Sequence, residues 1–206
     1  AGKPPPKSDT ANAMAPPPLP ADVNAPVTVA VHRQGDNLRI DFPFATATPA
    51  ALFRRGRMLW AVFDSDAKIN TSALNDEKLF RTTSLERGKD GEAILRLALN
   101  EPKLVSFYGE GSRWVLTVGD SIAEPTKPVT IARRIVGQGR ASITMPFVEP
   151  RKLHRIADPD VGDTLLVVTA LGPARGFLKE QEFIELRALA STHGVVVQPL
   201  ADDVTH

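Results

Sequence analysis

From Pro26 onward, apolar and polar residues alternate in short runs broken by glycine, aspartate and proline. That pattern predicts strands joined by tight turns. VTVAVHRQGDNLRIDFPF, residues 27–44, predicts two strands around the turn Gln34-Gly35-Asp36-Asn37, with Leu38, Ile40 and Phe42 on one face. KLFRTTSLERGKDGEAILRLAL, residues 78–99, predicts a second hairpin. Its turn is Gly88-Lys89-Asp90-Gly91, and Leu95, Leu97 and Leu99 alternate. VTIARRIVGQGRASITMPF, residues 129–147, begins with the same Val-Thr, turns at Gly137-Gln138-Gly139 and ends on the same Pro-Phe as the first.

After each hairpin comes a proline, an apolar segment, a polar break and a further strand. The three versions are PAALF then MLWAVFD, PKLVSF then RWVLTVGD, and PRKLHRI then TLLVVTAL. We read three divergent repeats of about 50 residues, with about three strands each. Propeller blades have a similar period but need four strands, so small sandwich-like units are the favoured architecture. Phe53 and Trp60 are spaced like Phe107 and Trp114, which predicts equivalent core positions rather than an exposed aromatic platform.

The last unit carries an extension. In GFLKEQEFIELRALASTHG, residues 176–194, Phe183, Leu186, Leu189 and Ala190 recur at helical spacing, with Glu180 and Glu182 near the start and His193-Gly194 as a stop. This predicts a helix between strands TLLVVTAL and VVVQPL, hence a β-α-β element with those strands parallel. The predicted fold class is therefore mainly β: repeated small antiparallel β units, sandwich-like, with one C-terminal β-α-β element. Residues 1–26, rich in proline and alanine, predict a disordered linker of polyproline II character. Residues 27–128 hold two repeated β units, and 129–206 hold the third with its helical extension.

Composition narrows the chemistry. The 206 residues include 25 basic and 24 acidic ones, a near balance that gives no general attraction to nucleic acid or membrane. There is no cysteine, which excludes disulfides, thiolate metal sites and cysteine nucleophiles. No apolar run approaches the roughly 18 residues of a membrane span. The opening AGKPPPK and the closing DDVTH read as a mature form or a fragment of something longer.

Few residues suggest a site. Arg54, Arg55 and Arg57 form one basic cluster and Arg133 with Arg134 another. They are the candidate binding residues, for an anionic polymer or an acidic partner face. Asp158, Asp160 and Asp163 supply oxygens but lack the spacing of a calcium loop, and read as a turn. LGPARGF, residues 171–177, reads as a strand-to-helix turn without a nucleotide-binding glycine pattern. His32, His154, His193 and His206 are scattered, and neither a nucleophile elbow nor a zinc-protease motif is present. The expectation is no catalytic residue, no metal and no cofactor.

ADPDVGDTLLVVTALGPARGF (157–177), LASTHGVVVQPLADDV (189–204) and RRGRMLWAVFD (54–64) resemble the N-terminal β-rich region of large, uncharacterised bacterial envelope proteins that carry tetratricopeptide repeats further along. The resemblance runs from about Val27 to the end of the chain. A hairpin followed by a strand ending in Asp, as in LWAVFD, looks more distantly like the AMIN module of periplasmic amidases and secretins. The usual Pro-x-Arg before the final strand is lacking here. These resemblances imply export to the periplasm or cell envelope. The expected function is a non-catalytic envelope binding or scaffolding module, part of a larger tetratricopeptide-repeat protein. Its partner would be a protein or a cell-wall polymer, not nucleic acid. The alternative is a peptidoglycan- or polysaccharide-binding accessory domain of a cell-wall enzyme.

Overall fold

The computed structural model describes residues 22–136 and 140–200. Most of the expected N-terminal linker, and the turn at Gly137-Gln138-Gly139, lie outside the described residues. In chain order the elements are β1 (Val27–Thr28), β2 (Ala30–Gln34), β3 (Asn37–Pro43), β4 (Ala50–Arg55), β5 (Met58–Phe63), β6 (Ile69–Asn70), α1 (Ser72–Asn75), β7 (Phe80–Arg87), β8 (Ala93–Leu99), β9 (Leu104–Glu110) and β10 (Arg113–Gly119). The second half adds β11 (Lys127–Pro128), β12 (Ala132–Val136), β13 (Arg140–Thr144), β14 (Pro150–Ala157), β15 (Thr164–Ala170), β16 (Arg175–Gly176), β17 (Gln181–Glu182), β18 (Leu186–Ala188), β19 (Ser191–His193) and β20 (Val195–Pro199).

The fold is mainly β, with antiparallel sheets built from repeated hairpins. Each repeat contributes two hairpins, hence four strands rather than the three expected. They are β2-β3 with β4-β5, β7-β8 with β9-β10, and β12-β13 with β14-β15. Glycines at positive φ make the tight turns between β2 and β3 (Gly35), β4 and β5 (Gly56), and β9 and β10 (Gly111).

The first two repeats exchange hairpins. One sheet runs β2-β3-β10-β9, and part of a second runs β4-β5-β8-β7. Interchanging the repeats maps each order onto the other, so the pair forms one sandwich with internal two-fold character. The inward faces follow the period of two: Leu38, Ile40 and Phe42 from β3 and Trp114, Leu116 and Val118 from β10 meet Leu59, Ala61 and Phe63 from β5 and Leu95, Leu97 and Leu99 from β8.

The third repeat starts a second sandwich on the same plan. Strands β14-β15-β20-β18 reproduce the order β4-β5-β8-β7, and β12-β13 takes the place of β2-β3. A parallel clasp also recurs. The N–H of Val27 donates to the carbonyl of Lys68 (2.8 Å) and that of Val29 to Asn70 (3.0 Å), joining β1 to β6. The N–H of Lys127 donates to Ala174 (3.0 Å) and that of Val129 to Gly176 (2.8 Å), joining β11 to β16. Among the described residues β13 pairs with β12 alone; by the order of the first sandwich, a counterpart of β9-β10 would follow β20, the last described strand.

There are two further apolar layers, one between the sandwiches and one inside the second. The outer face of the first, Ala51, Phe53, Trp60, Val62 and Ile94, packs on Ile156, Leu165, Val167 and Val196 of the second. Leu166, Val195, Val197, Leu186 and Phe177 face the other way, toward Ile131, Ile143, Met145 and Phe147 around the β12-β13 hairpin.

Three expectations need correction. Residues 176–194 form short strands and turns, not a helix. Leu186 and Ala188 are buried while Ile184 is 80% exposed, so the segment follows local strand geometry and tertiary pairing rather than the helical spacing. Strands β15 and β20 are accordingly antiparallel, with Val167 opposite Val196, and no β-α-β element exists there. Finally, the two Phe/Trp pairs are both buried and stacked, at 5.6 Å for Phe53–Trp60 and 4.5 Å for Phe107–Trp114, but they are not equivalent. Trp114 faces the interior of the first sandwich and Trp60 the layer between sandwiches. A shift of one residue in a strand moves a side chain to the opposite face.

Candidate functional site

The chemistry-bearing residues gather where β5, the β7-β8 turn and β14 meet. β5 runs into Asp64, whose side chain is only 4% exposed. The alternation of β14 sends His154 and Ile156 inward, leaving His154 1% exposed. Glu92, just before β8, is buried as well, while Asp90 in the turn is exposed.

The Nε2 of His154 lies 2.5 Å from Oδ1 of Asp64, and the hydroxyl of Thr169 donates to Oδ2 of Asp64 at 2.7 Å. This chain fixes the carboxylate and the ring, with Nε2–H donating. The other ring nitrogen, Nδ1, is buried without a hydrogen-bond partner. It faces Glu92 Oε2 at 3.6 Å and Asp90 Oδ2 at 3.9 Å. Glu92 is itself oriented by accepting the N–H of Asp90 at 3.0 Å. Burial disfavours the charged imidazole, but the hydrogen bond to Asp64 and the charges of Asp64, Glu92 and Asp90 outweigh it, so the pKa of His154 is raised. Beside the cluster lies an open cleft of about 280 Å³ whose lining includes Asp64, Asp66, Asp90, Glu92 and Lys152. Asp90, Glu92 and His154 present one ligand atom each, all within 4.8 Å of one another. An imidazole with two carboxylates suits a divalent transition metal.

The arginines singled out in the sequence divide into different roles. Arg55 is committed internally: it reaches Asp158 at 2.5 Å and grips both oxygens of Asp163 at 2.7 and 2.5 Å. The hydrogen bond from Arg55 holds the Asp163 carboxyl below its ordinary range. This pairing ties the β4-β5 turn to the loop before β15, and it engages two of the three loop aspartates. Arg54 donates to the carbonyl of Lys103 at 2.6 Å, and Arg57 reaches that of Asn100 at 3.4 Å. Arg133 and Arg134 lie exposed on β12, with Arg133 3.5 Å from Glu185. The 171–177 segment joins strand to strand, with β16 at Arg175–Gly176, rather than strand to helix.

Sequence reasoning noted Asp64 as a strand end and His154 as one of four scattered histidines, and it took Asp90 as a turn residue. Their meeting with Glu92 depends on the packing of β14 across the first sandwich. The one available signal was an acid closing the apolar run MLWAVF, a costly place for a carboxylate without partners.

Comparison with protein-family models, with curated proteins and with solved structures finds no match for this chain.

Proposed function

We propose that the protein is a non-catalytic binding or scaffolding module of the bacterial cell envelope, and that it binds a partner protein by accepting a β-hairpin at β13. The envelope setting rests on the resemblance given above. The binding mode rests on one observation: among the described residues, the second sandwich repeats the first up to β20, and the edge of β13 that β10 covers in the first has no strand on it. In the first sandwich, β3 pairs with β10 along residues 38–43, and β10 pairs with β9. Among the described residues the corresponding edge of β13 has no strand partner, and an apolar layer flanks it, the two components of strand addition.

The incoming hairpin has alternating apolar residues to cover Ile143, Met145 and Phe147. These side chains are partly exposed, whereas their counterparts Ile40, Phe42 and Phe44 are buried. Arg133 and Arg134 on β12 guard the far edge of the hairpin, where charge discourages unspecific pairing. No helix among the described residues is long and apolar enough to cross a membrane.

A polar cleft lined by four carboxylates supports the second reading, a peptidoglycan- or polysaccharide-binding accessory role, since sugar hydroxyls suit such a lining. The test is photo-crosslinking from a reactive residue placed at Ser142 in β13, in envelope extract, beside sedimentation onto purified peptidoglycan. A defined protein crosslinked at 142, and lost in Ile143→Pro, is the expected result. Retention on peptidoglycan without a crosslink would replace the first reading with the second.

A further inference from the structure

We propose that Asp90, Glu92 and His154 bind a divalent transition-metal ion of the zinc class, which fastens the second sandwich to the first. Three independent observations lead there. The first is the orphaned Nδ1 of His154, buried on a side chain 1% exposed and aimed at two carboxylates. A buried polar atom without a partner is costly, and a metal bond removes that cost.

The second is spacing. Ligand atoms about 2.0–2.1 Å from a tetrahedral zinc lie about 3.3 Å from each other. The Nδ1 separations of 3.6 Å to Glu92 and 3.9 Å to Asp90 need only a small contraction to reach that geometry. Asp90 is exposed, so its side chain is free to make the adjustment, whereas Glu92 is held by its hydrogen bond to the Asp90 N–H.

The third is the support behind the ring. Ligating histidines commonly donate their second N–H to a carboxylate, which fixes the tautomer and raises ligand basicity. Asp64 supplies that carboxylate at 2.5 Å, and Thr169 anchors it in turn at 2.7 Å. Loading releases any proton on Nδ1 and leaves the Nε2–H bond to Asp64 intact. Three protein ligands leave a fourth position for water, and Asp90 and Glu92 both line the cleft from which it would enter. Because Asp90 and Glu92 belong to the β7-β8 hairpin and His154 to β14, the ion cross-links the two sandwiches and stabilises the folded chain by mass action.

The test is titration of the full chain with zinc chloride by calorimetry and with cobalt chloride by visible absorption, with thermal unfolding in parallel. One equivalent of ion, cobalt ligand-field bands and a raised melting temperature are expected. Asp90→Asn should weaken binding by more than about tenfold, the scale seen even for lost outer-shell partners, and its metal-free melting temperature is measured alongside to show that the variant is folded. Glu92→Gln should abolish it, and His32→Ala should leave it unchanged. Absence of saturable binding, or wild-type affinity in Asp90→Asn, would overturn the proposal.

Discussion

Phe44 and Phe147 end two hairpins of the same plan, after the sequences RIDFP and SITMP, yet their surroundings differ. Phe44 is 4% exposed among Phe42, Phe63 and the rest of a closed sandwich, whereas Phe147 is only partly buried beside a hairpin that has no neighbour on its far side among the described residues. The same local motif therefore yields a core residue in one half and a rim residue in the other. Burial is decided by the strands that arrive from elsewhere in the chain, and among the described residues no pair covers the third repeat as β9-β10 covers the first.

Matched substitutions sharpen that contrast. Phe44→Ala should cost about 3–5 kcal/mol, as for a fully packed aromatic. Phe147→Ala should cost about 1 kcal/mol, in line with its smaller burial. Equal losses in chemical denaturation would break the comparison.

Two neighbouring arginines give the next largest difference. Arg55→Ala should destabilise by about 3 kcal/mol, because it strands Asp158, 3% exposed, without its cation. Arg57→Ala, at the exposed end of the same turn, should stay within about 0.5 kcal/mol. Urea midpoints of the two variants decide it.

The junction between the halves also carries a pH signature. His193 is fully buried, accepts the Arg175 N–H at Nδ1 and donates from Nε2 to the carbonyl of Ala170 at 3.0 Å. Burial lowers its pKa from 6.5 to about 4, against a smaller opposing effect of the Ala170 hydrogen bond. The unfolded chain thus takes up a proton near pH 6.5 that the folded chain refuses until about pH 4. Stability is full above the unfolded pKa and falls with pH across that window, by about 3 kcal/mol. Denaturation curves at intervals through the window should show this slope, and His193→Gln should flatten it.

Much of the local architecture was legible in the sequence. Gln34-Gly35-Asp36-Asn37 and Gly88-Lys89-Asp90-Gly91 announce their hairpins because turn chemistry is local, and the leucines of β8 announce an inward face because the period of two is local. The exchange of hairpins between repeats was not legible, since strand order depends on contacts distant in sequence. The helix expected over 176–194 failed for a related reason: Leu186 and Ala188 satisfy a strand as well as a helix, and pairing of β18 with β20 decides between them. The candidate metal centre was least visible, because Asp64, Asp90, Glu92 and His154 come from three separate segments. Only Asp64 stood out, as an acid ending an apolar run.

Backbone amide hydrogen exchange in the free protein tests the central claim most directly, comparing β3 with β13. The account predicts that β3 amides facing β10 are protected to near the global stability, while β13 amides facing away from β12 exchange orders of magnitude faster. Equal protection of both strands would mean that the edge of β13 is already covered, and the open edge at β13 would have to be abandoned.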